Sequence, residues 1–112
     1  VEDLRAQARA HFQARRYREA AQAYEQATRL APTNASVWSG LGAARLSAGD
    51  TTGAVQAYER AVQLAPTNAG FHVGLGRAHA RSGNRDAARR ELERALQLDP
   101  NNADARTGLS QL

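Results

Sequence analysis

The sequence contains no cysteine and no methionine. Without thiols it can form neither a disulfide framework nor a Cys-ligated zinc site, and thiol catalysis is excluded as chemistry. No window approaches the roughly 18 consecutive apolar residues that a membrane-spanning helix needs, and no charged-then-apolar signal segment opens the chain. Membrane insertion is therefore not expected. Lysine and isoleucine are also missing, so the net charge of +4 comes from 15 arginines set against 11 acidic residues. With abundant alanine, this composition matches the coding bias of a GC-rich bacterium. Val1 opens the chain and Met occurs nowhere, so the sequence reads as a piece of a longer or processed protein, with part of the function expected outside it.

What is present is repetition. Compared with itself at an offset of 34, the segment 35–68 is identical to 69–102 at 14 positions. These include Gly40/Gly74, Leu41/Leu75, Gly42/Gly76, Gly49/Gly83, Ala54/Ala88, Ala61/Ala95 and Pro66/Pro100. Residues 1–34 join the frame more weakly through Ala20, Ala27, Leu30, Pro32 and Asn34. The 112 residues thus read as one domain, 1–112, of three repeats (1–34, 35–68, 69–102) and a partial or capping helix at 103–112. A period of this size marks a solenoid, in which each unit buries its apolar face only by stacking on its neighbours.

Within each period the apolar spacing is helical. Val37, Leu41, Ala44 and Ala48 form one stripe, and Ala54, Tyr58, Ala61 and Ala65 form a second. Between them Gly49 suits a helix C-terminus and Asp50 the next N-cap, a device that Gly83 and Asn84 repeat. The Pro-containing turns at Pro32, Pro66 and Pro100 each break a second helix, and the Asn that follows two residues later caps the next first helix. Helices are expected at about 3–14, 18–30, 36–48, 52–64, 70–82, 86–98 and 104–111, with no strand.

These residues resemble the tetratricopeptide repeat, TPR, whose pattern is Trp, two spacers, Leu-Gly, two spacers, Tyr, then Ala, three spacers, an aromatic and a closing Pro. The second repeat matches through Trp38, Leu41, Gly42, Ala54, Tyr58, Ala61 and Pro66, with Arg45 at the first aromatic position. The third offers Leu75, Gly76, Ala88, Ala95 and Pro100, with His72 in place of Trp and Leu92 in place of the aromatic. The first offers Leu4, Ala8, Ala20, Tyr24, Ala27 and Pro32, and departs at Gln7 and His11. In the final segment Arg106 stands where Trp or Leu is wanted, while Ala105, Leu109 and Leu112 make an apolar stripe able to cover the last repeat. The resemblance implies an all-α fold, a right-handed superhelical solenoid of antiparallel helix pairs.

It also implies a protein-interaction scaffold whose first helices line a concave groove for a peptide or protein segment. Carried over by repeat position, the groove residues are Glu2, Arg5, Ala6, Arg9 and Gln13, then Ser36, Ser39, Gly40, Ala43 and Ser47, then Gly70, Val73, Gly74, Arg77 and Arg81. Arg5 with Arg9 and Arg77 with Arg81 are each one turn apart on a helix, so each pair is expected to present two guanidinium forks suited to carboxylates or phosphates. An acidic ligand fits that arrangement. The alternative is that these arginines only solubilise the face. Gly40, Gly74 and Gly108 recur at one position although interior helical glycine is unfavourable by roughly 0.5–1 kcal/mol relative to alanine. Either a partner backbone approaches there, or duplication copied the glycines or neighbouring helices need the space.

Family members that clamp the Glu-Glu-Val-Asp tail of heat-shock chaperones carry a Lys/Asn/Asn/Lys/Arg set, where this chain has Arg5, Arg9, Gly40, Gly70 and Gly74. Chaperone-tail binding in its usual form is therefore not expected. Neither is catalysis. Of His11, His72 and His79 only the last two share a helix, and that pair has no third ligand at regular spacing, so no metal or cofactor is expected. The pair Glu91/Glu93 reads as solvated charge, and the glycines follow no strand as a phosphate loop would. Arg85, Arg89, Arg90 and Arg94 make a basic second helix, but interleaved Asp86, Glu91 and Glu93 and few exposed aromatics argue against nucleic acid. Two further readings stay open: a self-association module building a homo-oligomer, and a docking domain of a larger enzyme or secretion component.

Overall fold

The turns determine how the chain is divided. In the computed structural model, which describes residues 2–112, Asn34 accepts hydrogen bonds from the backbone N–H groups of Ser36 and Val37. Asn68 accepts from Phe71 N–H and Asn102 from Ala105 N–H in the same way. Each asparagine satisfies donors that the first turn of a helix leaves unpaired. Among the described residues seven helices result: α1 (Glu2–Gln13), α2 (Tyr17–Leu30), α3 (Ala35–Ser47), α4 (Thr51–Leu64), α5 (Ala69–Arg81), α6 (Arg85–Leu98) and α7 (Ala103–Ser110). There is no strand among the described residues, and no helix is long and apolar enough to cross a membrane. The expected helices agree to within about a residue at each end.

Inside each pair the reversal is a glycine-ended helix. Gly49 and Gly83 take φ of +91° and +88°, and the following N–H groups of Asp50 and Asn84 bond back to the carbonyls of Arg45 and His79. Those bonds satisfy carbonyls of the last turn in a Schellman arrangement. Asp50 and Asn84 then cap α4 and α6 by accepting from Gly53 and Ala87 N–H.

Small residues let the helices of a pair approach. Ala8, Ala20, Ala54 and Ala88 are fully buried. A Cβ on Gly42 would lie 2.7 Å from Tyr58 Cδ2, and one on Gly76 would lie 2.9 Å from Leu92 Cγ. The apolar residues gather in three clusters along the stack. The first joins Ala20, Tyr24 and Ala27 of α2 to Val37 and Leu41 of α3. The second joins Tyr58 of α4 to Leu75 and Ala78 of α5, and the third joins Leu92 of α6 to Val73 of α5 and Ala105 of α7. No pair owns a complete core, so stacking is a condition of stability. Helices pack mainly on their chain neighbours, in a body of 35 × 24 × 21 Å.

Three departures from the sequence pattern, at His72, Arg106 and Arg45, prove to be working replacements. Trp38 donates its indole N–H to the carbonyl of Pro32 at 2.8 Å. At the same repeat position His72 Nε2 lies 2.8 Å from the Pro66 carbonyl, and Arg106 Nη2 donates to the Pro100 carbonyl at 2.9 Å. Three different side chains thus fasten a first helix to the turn before it. Arg45, at the missing aromatic position, donates to the Gly53 carbonyl at 3.1 Å and pairs with Glu25 at 3.4 Å, tying α2, α3 and α4 together. Leu109 and Leu112 pack on the third cluster, so α7 covers the end of the stack as a capping helix does.

Candidate peptide-binding groove

The first helices α1, α3, α5 and α7 present one face on which the same repeat positions recur. Two depressions are formed there. One, of about 170 Å³, is lined by Arg9, Phe12 and Gln13 of α1, Tyr24 of α2, and Gly40 and Ala43 of α3. The other, of about 290 Å³, lies between α5 and α7 and is lined by residues including Arg77, Ala80, Arg81, Leu92, Gly108 and Gln111. Arg9, Ala43, Arg77 and Gln111 are the ninth residues of successive units, and Tyr24 and Leu92 are both twenty-fourth.

The recurring glycines have a cause within the chain. A Cβ on Gly40 would lie 2.5 Å from Tyr24 Cε1, one on Gly74 would overlap Tyr58 Cε1, and one on Gly108 would lie 3.0 Å from Leu92 Cδ1. A side chain from the preceding second helix therefore occupies each glycine's space. The groove floor is made by Tyr24, Tyr58 and Leu92, not by bare helix backbone. Burial raises the pKa of the Tyr58 hydroxyl above 10.0, and the nearby Arg77 charge opposes this more weakly.

The four groove arginines divide into two kinds. Arg5 pairs with Glu2 at 3.1 Å, and Arg77 pairs across the groove with Asp104 of α7 at 3.3 Å. Arg9 and Arg81 are exposed, and among the described residues neither has a carboxylate within 4.0 Å. One free guanidinium therefore stands at each depression.

Family models for the tetratricopeptide repeat match residues 5–69 and 45–112. The chain belongs to the tetratricopeptide repeat family. No curated protein matches it by sequence. Among solved structures, the TPR domain of Arabidopsis OM64 superposes with a TM-score of 0.93 at 22% identity, covering 98% of this chain and 91% of that one. The first TPR of Spaghetti (RPAP3), bound to an HSP90 peptide, gives 0.92 at 23% identity, with 96% and 86% covered. The Sgt2 TPR domain from Aspergillus fumigatus gives 0.93 at 23% identity, with 98% and 74% covered. At these identities the likeness establishes the TPR solenoid fold.

Set on that TPR frame, the expected groove residues do not all remain on the groove. Arg9, Gln13, Gly40 and Ala43 line the first depression, and Arg77 and Arg81 line the second. Val73 is 4% exposed and packs with Leu92, Ala95 and Ala105, because α7 lies over it. Gly74 is likewise closed off by Tyr58. Ser36 and Ser39 fall outside both depressions, and Ser47 lines a different concavity beside the α1–α2 turn. The two-fork expectation changes as well, since Arg5 and Arg77 already hold carboxylates of the chain.

Phe12 was not among the sequence candidates because it stands at no position of the family pattern, and Tyr24 and Leu92 were not because that pattern marks them only as packing positions. Their signal was the pairing of a large twenty-fourth residue with a glycine sixteen positions later, seen at Tyr24/Gly40, Tyr58/Gly74 and Leu92/Gly108. Glu91, read as solvated, instead lies 2.7 Å from His72 Nδ1. Both ring nitrogens of buried His72 are thereby engaged, so it is not free to join His79 in holding a metal. Among the described residues no three His, Asp or Glu side chains converge as a ligand set.

Proposed function

We propose that this TPR chain is a scaffold that holds an extended, acidic peptide segment of a protein partner across its concave groove. The observation that carries the reading is the pair of depressions on one face, each with an arginine lacking an acidic partner, Arg9 at one and Arg81 at the other. A guanidinium offers a planar donor fork matched to a carboxylate. The aromatic floor at Phe12 and Tyr24 gives an apolar ligand side chain a place beside that charge. Gly40 and Gly74, shielded by tyrosine rings, offer no polar side chain of the kind a chaperone-tail clamp uses at those positions.

The test begins with a displayed peptide library selected on the wild-type chain, followed by affinity measurements on the enriched sequences. Arg9→Glu and Arg81→Glu should each weaken binding at least about tenfold, or ~1.4 kcal/mol. Arg60→Glu, an exposed reversal on α4 away from the groove, should leave it unchanged. Unaltered affinity in both groove variants, or equal loss in all three, would reject the groove.

A further inference from the structure

The α1–α2 turn breaks a rule that the other two turns of its kind obey. Where those turns place Gly49 and Gly83 in the left-handed region, this one places Arg15, at φ +62°. The Arg16 N–H still bonds to the His11 carbonyl at 2.8 Å, so the Schellman geometry imposes that conformation on a residue with a side chain. Where Asp50 and Asn84 cap α4 and α6, Arg16 makes no side-chain cap to α2. Both substitutions cost stability, and the chain's own second and third repeats show the favourable alternatives. Arg18 follows where those repeats carry Thr52 and Asp86.

The result is three arginines within four residues. All three are exposed, and among the described residues none has a carboxylate within 4.0 Å. Arg16 Nε donates to His11 Nδ1 at 3.2 Å, which fixes one edge of its guanidinium and leaves the other free. Tyr17 anchors the turn through an edge-on contact with Phe12, with ring centroids 5.1 Å apart. Arg15, Arg16 and Arg18 border a concavity of about 380 Å³ closed on the far side by Ser47 and Ala48 at the end of α3. It shares no lining residue with either groove depression.

We propose that this turn is a second docking surface, which takes a short acidic polypeptide segment of a partner. Clustered guanidinium forks bind carboxylates in bidentate fashion, and a concavity of this size admits a few side chains. A flat polyanion is disfavoured by what lies alongside. The equivalent turn of the second repeat carries Asp50, and that of the third carries Arg85 beside Asp86, which pairs with Arg89, so the densest positive charge lies at one end of this edge. A narrow segment meets the three arginines with Glu19 as the one acid of the concavity's lining, whereas a membrane or a nucleic-acid duplex spanning the edge also meets Asp50 and Asp86.

The experiment uses an oligoglutamate peptide followed by backbone amide NMR, with oligoglutamine as the uncharged control. The variant is Arg15→Gly/Arg16→Asp/Arg18→Thr, which installs the residues of the second turn. Because it restores the glycine and the cap, it should melt at a higher temperature than wild type, so a loss of binding cannot come from unfolding. Saturable oligoglutamate shifts are expected at residues 15–19 and 47–48, weakened at least about tenfold in the variant. Shifts that are absent at those residues, unaltered in the variant, or matched by oligoglutamine would overturn the proposal. So would phosphatidylserine vesicles that saturate the same amides at lower anion concentration. Changes near Arg9 and Arg81 report the groove and are read separately.

Discussion

Gly74 lies against the ring of Tyr58 with no room for a Cβ between them. The contact joins α4 of one repeat to α5 of the next, so a glycine that weakens its own helix strengthens the stack. Alanine at this position gains roughly 0.5–1 kcal/mol in helix preference. Overpacking against a buried ring costs about 1–3 kcal/mol, which exceeds that gain. Gly74→Ala should therefore lower the urea midpoint. Gly108→Ala, where the neighbour is the more yielding Leu92 at 3.0 Å, should lower it less. Equal effects would contradict the role given to the tyrosine ring.

The bonds to the proline carbonyls should differ in worth. Trp38→Phe removes only the donor to the exposed Pro32 carbonyl, a loss of about 0.5–1.5 kcal/mol. His72→Phe removes that bond's counterpart and also leaves Glu91, a half-buried carboxylate, without its partner, for a loss of ~1–3 kcal/mol. Urea denaturation followed by circular dichroism gives both values. A Trp38→Phe loss exceeding that of His72→Phe would remove the case for Glu91 as a structural partner.

Alkaline pH should expose the burial of Tyr58. Its pKa is raised above 10.0 mainly by burial, so the folded state holds the hydroxyl proton to higher pH than the unfolded chain does. That contribution is complete below pH 10.0 and is lost as pH rises through the folded value. Tyr58→Phe cannot ionise there. Stability should fall more steeply above pH 10 in wild type than in the variant, as read from urea midpoints across pH 9–11.5, and parallel profiles would contradict the assignment.

Packing between neighbouring helices predicts unfolding from the ends. Trp38 sits against the first cluster in the middle repeat, whereas circular dichroism averages all the helices. On heating, ellipticity should begin to fall before Trp38 fluorescence changes. Coincident curves would show that the stack melts as one unit.

Much of the architecture was legible because it is local and repeated. Asparagine caps, the glycine turns and the helical spacing of small and large residues act within a few positions, and recurrence at 34 distinguishes them from accident. The groove was less legible. Val73 has the groove's register, but α7 covers it, and Arg77 has the right spacing from Arg81, but Asp104 engages it. Both outcomes depend on a helix that begins some thirty residues after Val73.

The sequence by itself determined the seven helices, their pairing and the family, since each follows from short-range hydrogen bonding and from a period that only stacking can satisfy. Only the tertiary structure decided which side of each first helix remains open, which arginines remain unpaired, and that Tyr24, Tyr58 and Leu92 fill the space beside the recurring glycines. Burial and charge pairing depend on what the neighbouring repeat brings into contact, and that is a property of the stack rather than of any one repeat.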